Sequence, residues 1–319
     1  MFEKIISWDN LFDAWTEFRR DKNNRLDVAE FEVNLEDHIF ELHDDLKNDT
    51  YRHGGYVSFF VNDPKRRHIH KASVRDRLLH HAVHRVIEPG WNKVFIFDSW
   101  SSRQTKGTHR AVKRLENLGR KLSRNHTLTL WILKLDIRKF FDSISPDILL
   151  EILKKRTPDA PLLVLLTKII ASFAPGLPLG NLTSQLFANI YLDKLDQFVK
   201  HNLKISGYIR YADDFILIHP DRALLINYLD KITIFLRERL RLIIHPKKIV
   251  FKTYAGGIDY LGYVCFPHHR VLRTKTKRRM FDRISRKNFA SHNGVLRHCR
   301  SVSLRDKLLV IIAQRQAYR

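Results

Sequence analysis

Asp136 ends the stretch Trp131-Ile132-Leu133-Lys134-Leu135-Asp136, and Asp213 and Asp214 end Tyr211-Ala212-Asp213-Asp214. Leu133 and Leu135 alternate with Lys134 ahead of the first carboxylate. Tyr208, Ile209 and Tyr211 lead into the second group, and Phe215 to Ile218 lead out of it, a pattern of strand, tight turn and strand. Three carboxylates gathered at a sheet edge repel one another unless a cation neutralises them, and hard oxygen ligands suit Mg²⁺ or Mn²⁺. Two such ions about 4 Å apart activate an attacking oxygen and stabilise a leaving one. Neighbouring side chains on an extended strand face opposite ways, so only a turn brings Asp213 and Asp214 to one place. This ranks Asp136 and Asp213 ahead of Asp214 as direct ligands, with Ile137 offering only its backbone carbonyl. Strand-end Asp residues are commonly turn formers, so the quartet acquires meaning only from its company.

That company is a series in order along the chain. Asp136 to Asp142 is followed by Gly176-Leu-Pro-Leu-Gly180-Asn-Leu-Thr-Ser184-Gln185, Tyr211 to Asp214, His245-Pro-Lys-Lys248 and Gly257-Ile-Asp-Tyr-Leu-Gly262-Tyr. Upstream lie Lys65-Arg-Arg67-His-Ile69, Arg75-Asp-Arg77 and Phe97-Asp-Ser-Trp-Ser-Ser-Arg103-Gln-Thr-Lys106-Gly-Thr-His109. The series resembles the motifs of bacterial reverse transcriptases over about residues 50 to 275. The resemblance implies an α+β right-hand polymerase. Its reaction would be attack of a primer 3′-hydroxyl on the α-phosphate of a deoxynucleotide, templated by RNA, with two Mg²⁺ or Mn²⁺ ions per site. Template RNA, a DNA or RNA primer and the RNA–DNA hybrid product are its implied partners.

Roles follow from the same resemblance. Asp136, Asp213 and Asp214 are the catalytic carboxylates, and Lys248, with Lys247 as a substitute, protonates the leaving pyrophosphate. Arg103 and Lys106 grip the incoming triphosphate. Phe141 lies under the nucleotide sugar, where a ring leaves no room for a 2′-hydroxyl; of the adjacent Phe140 and Phe141, one should point inward. Leu179, Gly180 and Gln185 belong to the nucleotide pocket. Arg67, Gly257, Gly262, Arg273, Lys277 and Arg278 face primer and template.

The second motif departs from the common Gln-Gly followed by Ser-Pro, reading Leu179-Gly180 followed by Ser184-Gln185. In this wording it is similar to the reverse transcriptases of diversity-generating retroelements, in a lineage like that of group II introns. These copy RNA with frequent errors opposite adenine, and the likeness brings a small basic accessory protein into view. A bacterial defence system or an intron-like element could share the wording.

The charge agrees with a polyanionic partner. Lys plus Arg number 57 against 34 Asp plus Glu, a net charge of +23, and such a field attracts phosphate backbones. Residues 1–50 carry 14 acidic and 6 basic side chains, and residues 270–319 carry 15 basic and 2 acidic. The organisation expected is an acidic helical extension (1–50), fingers (51–130), a palm (131–268) with a helical insertion near 146–178, and a basic thumb (269–319). A metal-dependent nuclease could use three Asp but needs neither Arg103 and Lys106 nor Phe141. An RNA-binding protein could share the charge but has no use for both acidic motifs. His80, His81 and His84 lack the Glu of a zinc-protease helix and read as surface histidines, and Cys265 with His268 and His269 is too sparse for zinc. No apolar run is long enough to span a bilayer, and two cysteines fit a reducing cytoplasm.

The elements that must hold these residues can be outlined. Helices are predicted near 9–20 and 26–48, over 73–86 with Pro89-Gly90 ending it, and over 107–122. More follow from about 146, near 160–173, over 181–200, over 224–240 and over 302–312, the last through Leu304, Leu308, Leu309 and Ile312. Tyr56 to Val61 alternates like a strand, with a turn at Asn62-Asp63-Pro64.

Overall fold

The computed structural model describes residues 1–22, 24–62 and 65–317, apart from the side chains of Val302, Gln316 and Ala317. Asp63 and Pro64 of the predicted turn lie outside the described residues. The chain forms two compact units, one of Met1–Phe97, Ile137–Asn202 and Ile232–Ile244, the other of Asp98–Asp136, Leu203–Lys231 and His245–Arg319. Among the described residues no helix is long and apolar enough to cross a membrane.

The first unit is mostly helical. Among the described residues its one hairpin pairs β1 (Tyr56–Val61) with β2 (Arg67–Ala72), antiparallel, Tyr56 opposite Ala72. The predicted 26–48 helix is two helices, Leu26–Val33 and Leu35–Lys47, because Asn34 leaves helical space at φ −119°, ψ 45°, as a residue with a competing short amide tends to at a helix boundary. The helix expected to stop at Pro89-Gly90 runs Val74–Asn92. Proline so near a helix end removes only one backbone hydrogen bond, and Trp91, 5% exposed, anchors the final turn. Thr183, Leu186, Phe187, Ile190 and Tyr191 are all buried on the Leu182–Gln197 helix, which packs against Val74–Asn92. Tyr191 donates its hydroxyl to the Leu240 carbonyl at 2.7 Å.

The second unit holds two sheets, all pairings antiparallel. The first runs in the order β4 (Tyr208–Tyr211), β5 (Asp214–His219), β3 (Trp131–Asp136), β6 (Val250–Thr253). The second joins β7 (Ile258–Tyr260), β8 (Tyr263–Cys265) and β9 (Arg270–Leu272). The alternating pattern gives β3, β4 and β5 buried residues on one face: Ile132, Ile209, Ile216 and Ile218 share one cluster with Ala111, Val112, Leu115 and Leu118 of the Thr108–Leu122 helix. Gly119 is required in that helix, since a β-carbon there would sit 2.5 Å from the Tyr254 ring. The basic C-terminal segment is folded into helices Thr274–Arg283, Arg286–Leu296 and Val302–Ala317. Met280, Ile284, Leu296 and Leu308 tie them to the same cluster. Leu309, expected on the packed face, is 46% exposed.

His80 corrects the surface reading of the histidines, being 1% exposed inside the first unit. Its Nε2 lies 3.3 Å from His53 Nε2. Burial, then His53, His81 and Arg77, pushes its imidazole down to about 3, and burial lowers His81 and His84 to about 4. The periodicity of the helix, which buries Val83 and Ile87 beside His80, outweighs the polarity of the ring.

The sign of the effect on stability is fixed by this depression. Folded His80 stays neutral while the unfolded imidazole titrates near 6.5, so its contribution is complete above about 6.5 and is lost as pH falls from there toward 3. At pH 5 the loss amounts to about 2 kcal/mol. His80→Leu should therefore lose less stability than wild type between pH 7.5 and pH 5, measured by urea unfolding at both values. Equal losses in the two proteins would show that His80 does not carry the acid sensitivity.

Candidate active site

The sheet register builds the carboxylate group. Asp136, last residue of β3, lies directly opposite Asp214, first residue of β5. Tyr211 pairs with Asp214 in turn, leaving Ala212 and Asp213 as the two-residue loop, with Ala212 in the left-handed region at φ 53°. The second unit therefore holds all three: Asp136 and Asp214 face each other, and Asp213 stands in the turn beside them.

Two lysines meet these carboxylates. Lys134 lies two residues before Asp136 on the same face of β3 and places its ammonium 2.9 Å from Asp214 Oδ2 and 2.8 Å from the Asp259 carbonyl. Lys248 forms an ion pair with Asp136 Oδ1, whereas Lys247 is exposed. Asp214 Oδ1 is buried and has no hydrogen-bond partner among the described residues. Burial raises the Asp214 carboxyl to about 6, Asp136 and Asp213 add to the rise, and Lys134 opposes it.

The donor set fits a divalent cation. Hard carboxylate oxygens converge from a strand end and its neighbouring turn, one oxygen is orphaned, and burial, with the like charges adding to it, raises a pKa even with two ammonium groups at hand. Among the described residues no three His, Cys, Asp or Glu side chains are already arranged to hold an ion. The lysines answer part of the charge in that arrangement.

A buried arginine braces the turn. Arg210 is 0% exposed; its Nη1 donates to the Ala212 carbonyl at 3.1 Å and its Nη2 to Ser99 Oγ at 3.0 Å. Its backbone also joins the chain at 98–100, Arg210 N donating to Asp98 O and Trp100 N to Arg210 O, both at 2.9 Å. Asp98 is in turn held by Arg114, with contacts of 2.7 and 3.1 Å. This lashing brings the predicted triphosphate residues to the strand that bears the turn. Arg103 Nη1 donates to Ser99 O at 2.9 Å, and Lys106 Nζ lies 4.1 Å from the centre of the Trp100 ring. Burial and then Arg103 hold the Lys106 ammonium below its usual value. Thr108 Oγ1 and the Tyr211 hydroxyl are 3.2 Å apart.

The second motif lies in the first unit. Phe140 is buried and Phe141 half-buried, and the Phe141 carbonyl accepts from Leu177 N at 2.9 Å. Gly176, at φ 73°, approaches so closely that a β-carbon would sit 2.1 Å from that carbonyl oxygen. The Leu179 carbonyl accepts from His70 N at 2.8 Å, and Asn181 Nδ2 donates to His70 O at 3.1 Å, fastening the loop to β2. Gly180 is exposed at φ 118°, and Gln185 and Arg67 are exposed. Ile137, also in the first unit, is buried and bridges to Ile244. In the second unit Gly257 and Gly262 have φ of 71° and 93° and flank β7. Arg273 reaches Asp259 at 3.2 Å, and Lys277 and Arg278 are exposed on the Thr274–Arg283 helix.

Two contributors escaped the sequence reading. Lys134 was legible in principle, because period two puts it on the face of Asp136. Arg210 gave no local signal, since nothing in Tyr-Ile-Arg-Tyr says that its partners lie more than a hundred residues earlier.

The raised Asp214 pKa has a consequence for stability. Its folded carboxyl takes up a proton near 6 and its unfolded one near 3.8, so ionised Asp214 weakens the fold above about pH 6, and the strain is relieved as pH falls through 6 toward 4. Asp214→Asn should raise stability in chelator at pH 7.5 by about 1–3 kcal/mol, the lower end reflecting the stranded Lys134. Thermal unfolding with and without chelator measures it, and a variant less stable than wild type would contradict a destabilising buried charge at this position.

Residues 62–265 match the family model for reverse transcriptase (RNA-dependent DNA polymerase). The chain is 24% identical over 252 residues to Protein YkfC of Escherichia coli, covering 64% of this chain and 63% of that protein. It is 26% identical over 177 residues to the group II intron-encoded protein LtrA of Lactococcus lactis, covering 51% of this chain and 28% of that one. It thus spans less than two thirds of either relative. Among solved structures, the apo telomerase of Candida tropicalis, truncated from its C-terminal domain, superposes with a TM-score of 0.54 at 13% identity, over 69% of this chain and 55% of that chain. That likeness is one of fold, the right-hand polymerase plan. The protein belongs to the reverse transcriptase (RNA-dependent DNA polymerase) family.

Proposed function

We propose that this chain is an RNA-directed DNA polymerase, making cDNA by adding deoxynucleotides to a DNA or RNA primer paired with template RNA. The observation that carries the reading is Asp136 facing Asp214 across β3 and β5, with Asp213 in the adjoining turn and Asp214 Oδ1 unsatisfied. Asp136, Asp213 and Asp214, with the Ile137 carbonyl, would hold Mg²⁺ or Mn²⁺. Bound there, two ions supply activation of the primer 3′-oxygen and charge neutralisation at the leaving pyrophosphate.

The chain's own residues do the rest. Arg103 and Lys106 offset charge on the transferred phosphoryl group. Lys248, which pairs with Asp136, would serve as the proton donor to the leaving pyrophosphate. Phe141 excludes a 2′-hydroxyl by volume. Leu179, Gly180 and Gln185 line the nascent pair, and Arg67, Gly257, Gly262, Arg273, Lys277 and Arg278 hold primer and template. On this reading residues 1–50 are an acidic extension, 51–130 the fingers, 131–268 the palm and 269–319 the thumb.

Asp136→Asn and Asp213→Asn should each abolish primer extension while leaving RNA binding within about twofold. A variant that still extends would remove that residue from the centre. Loss of substrate degradation in place of extension would identify a nuclease.

The finer reading is error-prone copying in a diversity-generating retroelement, alongside a small basic accessory protein. Its support is Leu179, whose backbone is fixed to His70 while its side chain has no amide to hold a base pair. A hydrogen bond between uncharged groups is worth about 1 kcal/mol net, so Leu179→Gln should lower misincorporation by about five- to tenfold, most at template adenine. Sequencing cDNA copied by both enzymes from one RNA decides it. Equally low error at adenine would transfer the chain to an intron-like or defence role, the former in keeping with its likeness to LtrA.

A further inference from the structure

A basic recess in the second unit shares none of the side chains assigned above to catalysis, nucleotide or primer–template binding, although part of its lining belongs to the proposed thumb. It is a cavity of ≈590 Å³, within the few hundred to a thousand Å³ typical of small-ligand sites. Three separate segments form it: the end of the Thr108–Leu122 helix with the loop after it, the β8–β9 turn, and the turn after the Arg286–Leu296 helix. Backbone bonds fix the last two, Phe266 N to His269 O at 2.8 Å and Arg300 N to Arg270 O at 3.0 Å.

Its chemistry is strongly directional. Arg120, Arg270, Arg297 and Arg300 line it against a single carboxylate, Glu116. Arg270 makes only a loose pair with Glu116, at 3.5 Å, and its Nη1 is buried with no hydrogen-bond partner among the described residues. A buried guanidinium nitrogen left unsatisfied costs more than a typical hydrogen bond returns, and a turn of this lining side chain onto a phosphate in the recess would remove that cost. Aromatic rings stand beside the arginines. Phe266 stacks on His269 with centroids 4.7 Å apart, and His126 meets His268 edge to face at 4.6 Å. Planar faces of this kind accept a nucleobase.

We propose that this recess is a second nucleotide site that binds a nucleoside phosphate, with the phosphate on the arginines and the base on the ring faces. The same chemistry is offered by the 5′-phosphorylated end of an RNA strand and by a free nucleotide.

Binding to the full chain in chelator tests it, because chelation silences the carboxylate centre and no polymerisation is needed. Failure here would leave the polymerase reading standing. A labelled short oligoribonucleotide carrying a 5′-phosphate, its 5′-hydroxyl twin, and unlabelled GTP and ATP as competitors are the probes. The phosphorylated oligonucleotide should bind about tenfold tighter than the hydroxyl form. Arg120→Glu/Arg300→Glu, on the exposed rim, should remove that preference, and so should Arg270→Gln, with circular dichroism reporting that each variant is folded. Displacement by GTP or ATP identifies a free-nucleotide site, and no displacement identifies a strand-end site. Equal affinity for the two oligonucleotides with no nucleotide binding, or an unaltered preference in the folded rim variant, would overturn the proposal.

Discussion

Repulsion between carboxylates that a sheet register forces together is the constraint around which the second unit is built. Asp136 and Asp214 cannot move apart without breaking the β3–β5 ladder, whose six paired positions run from Trp131–His219 to Asp136–Asp214. Lys134 and Lys248 lessen the repulsion, and the Asp214 carboxyl stays raised chiefly because it is buried, with Asp136 and Asp213 adding to the rise. A site poised in this way is less stable than its fold would allow and correspondingly receptive to a multivalent cation.

The scaffold around the carboxylates is correspondingly rigid. Arg210 is buried with its guanidinium divided between the turn carbonyl of Ala212 and Ser99. One side chain thereby couples the acidic turn to the segment from which Arg103 and Lys106 project. Breaking a buried, hydrogen-bonded charge of this kind is far more disruptive than losing an exposed ion pair. The acidic turn and the loop bearing Arg103 and Lys106 are in this sense one construction, although more than a hundred residues separate them in sequence.

The uneven charge has a structural counterpart. The basic C-terminal segment is a set of helices pinned to the core by Met280, Ile284, Leu296 and Leu308, so its arginines are displayed from fixed positions. Fixed display is what a phosphate-binding surface needs, since ordering a flexible basic chain would consume much of the binding energy.

Much of this was legible in order along the chain, because strand alternation and turn chemistry are local. Leu133, Leu135 and Asp136 announced a strand end, and Tyr211 to Asp214 announced a hairpin. The motif series carried the family and with it the α+β right-hand plan. Local rules failed where tertiary contacts outweighed them: Trp91 carried a helix past Pro89, and packing around Val83 and Ile87 drew His80 into the interior. The sequence by itself determined which residue types could bind metal and phosphate, because ligand hardness and charge belong to the side chains. Only the tertiary structure decided that Asp214 faces Asp136, that Lys134 and Lys248 meet them, and that Arg210 reaches Ser99, because pairing register and long-range contact depend on how distant segments satisfy one another's buried groups.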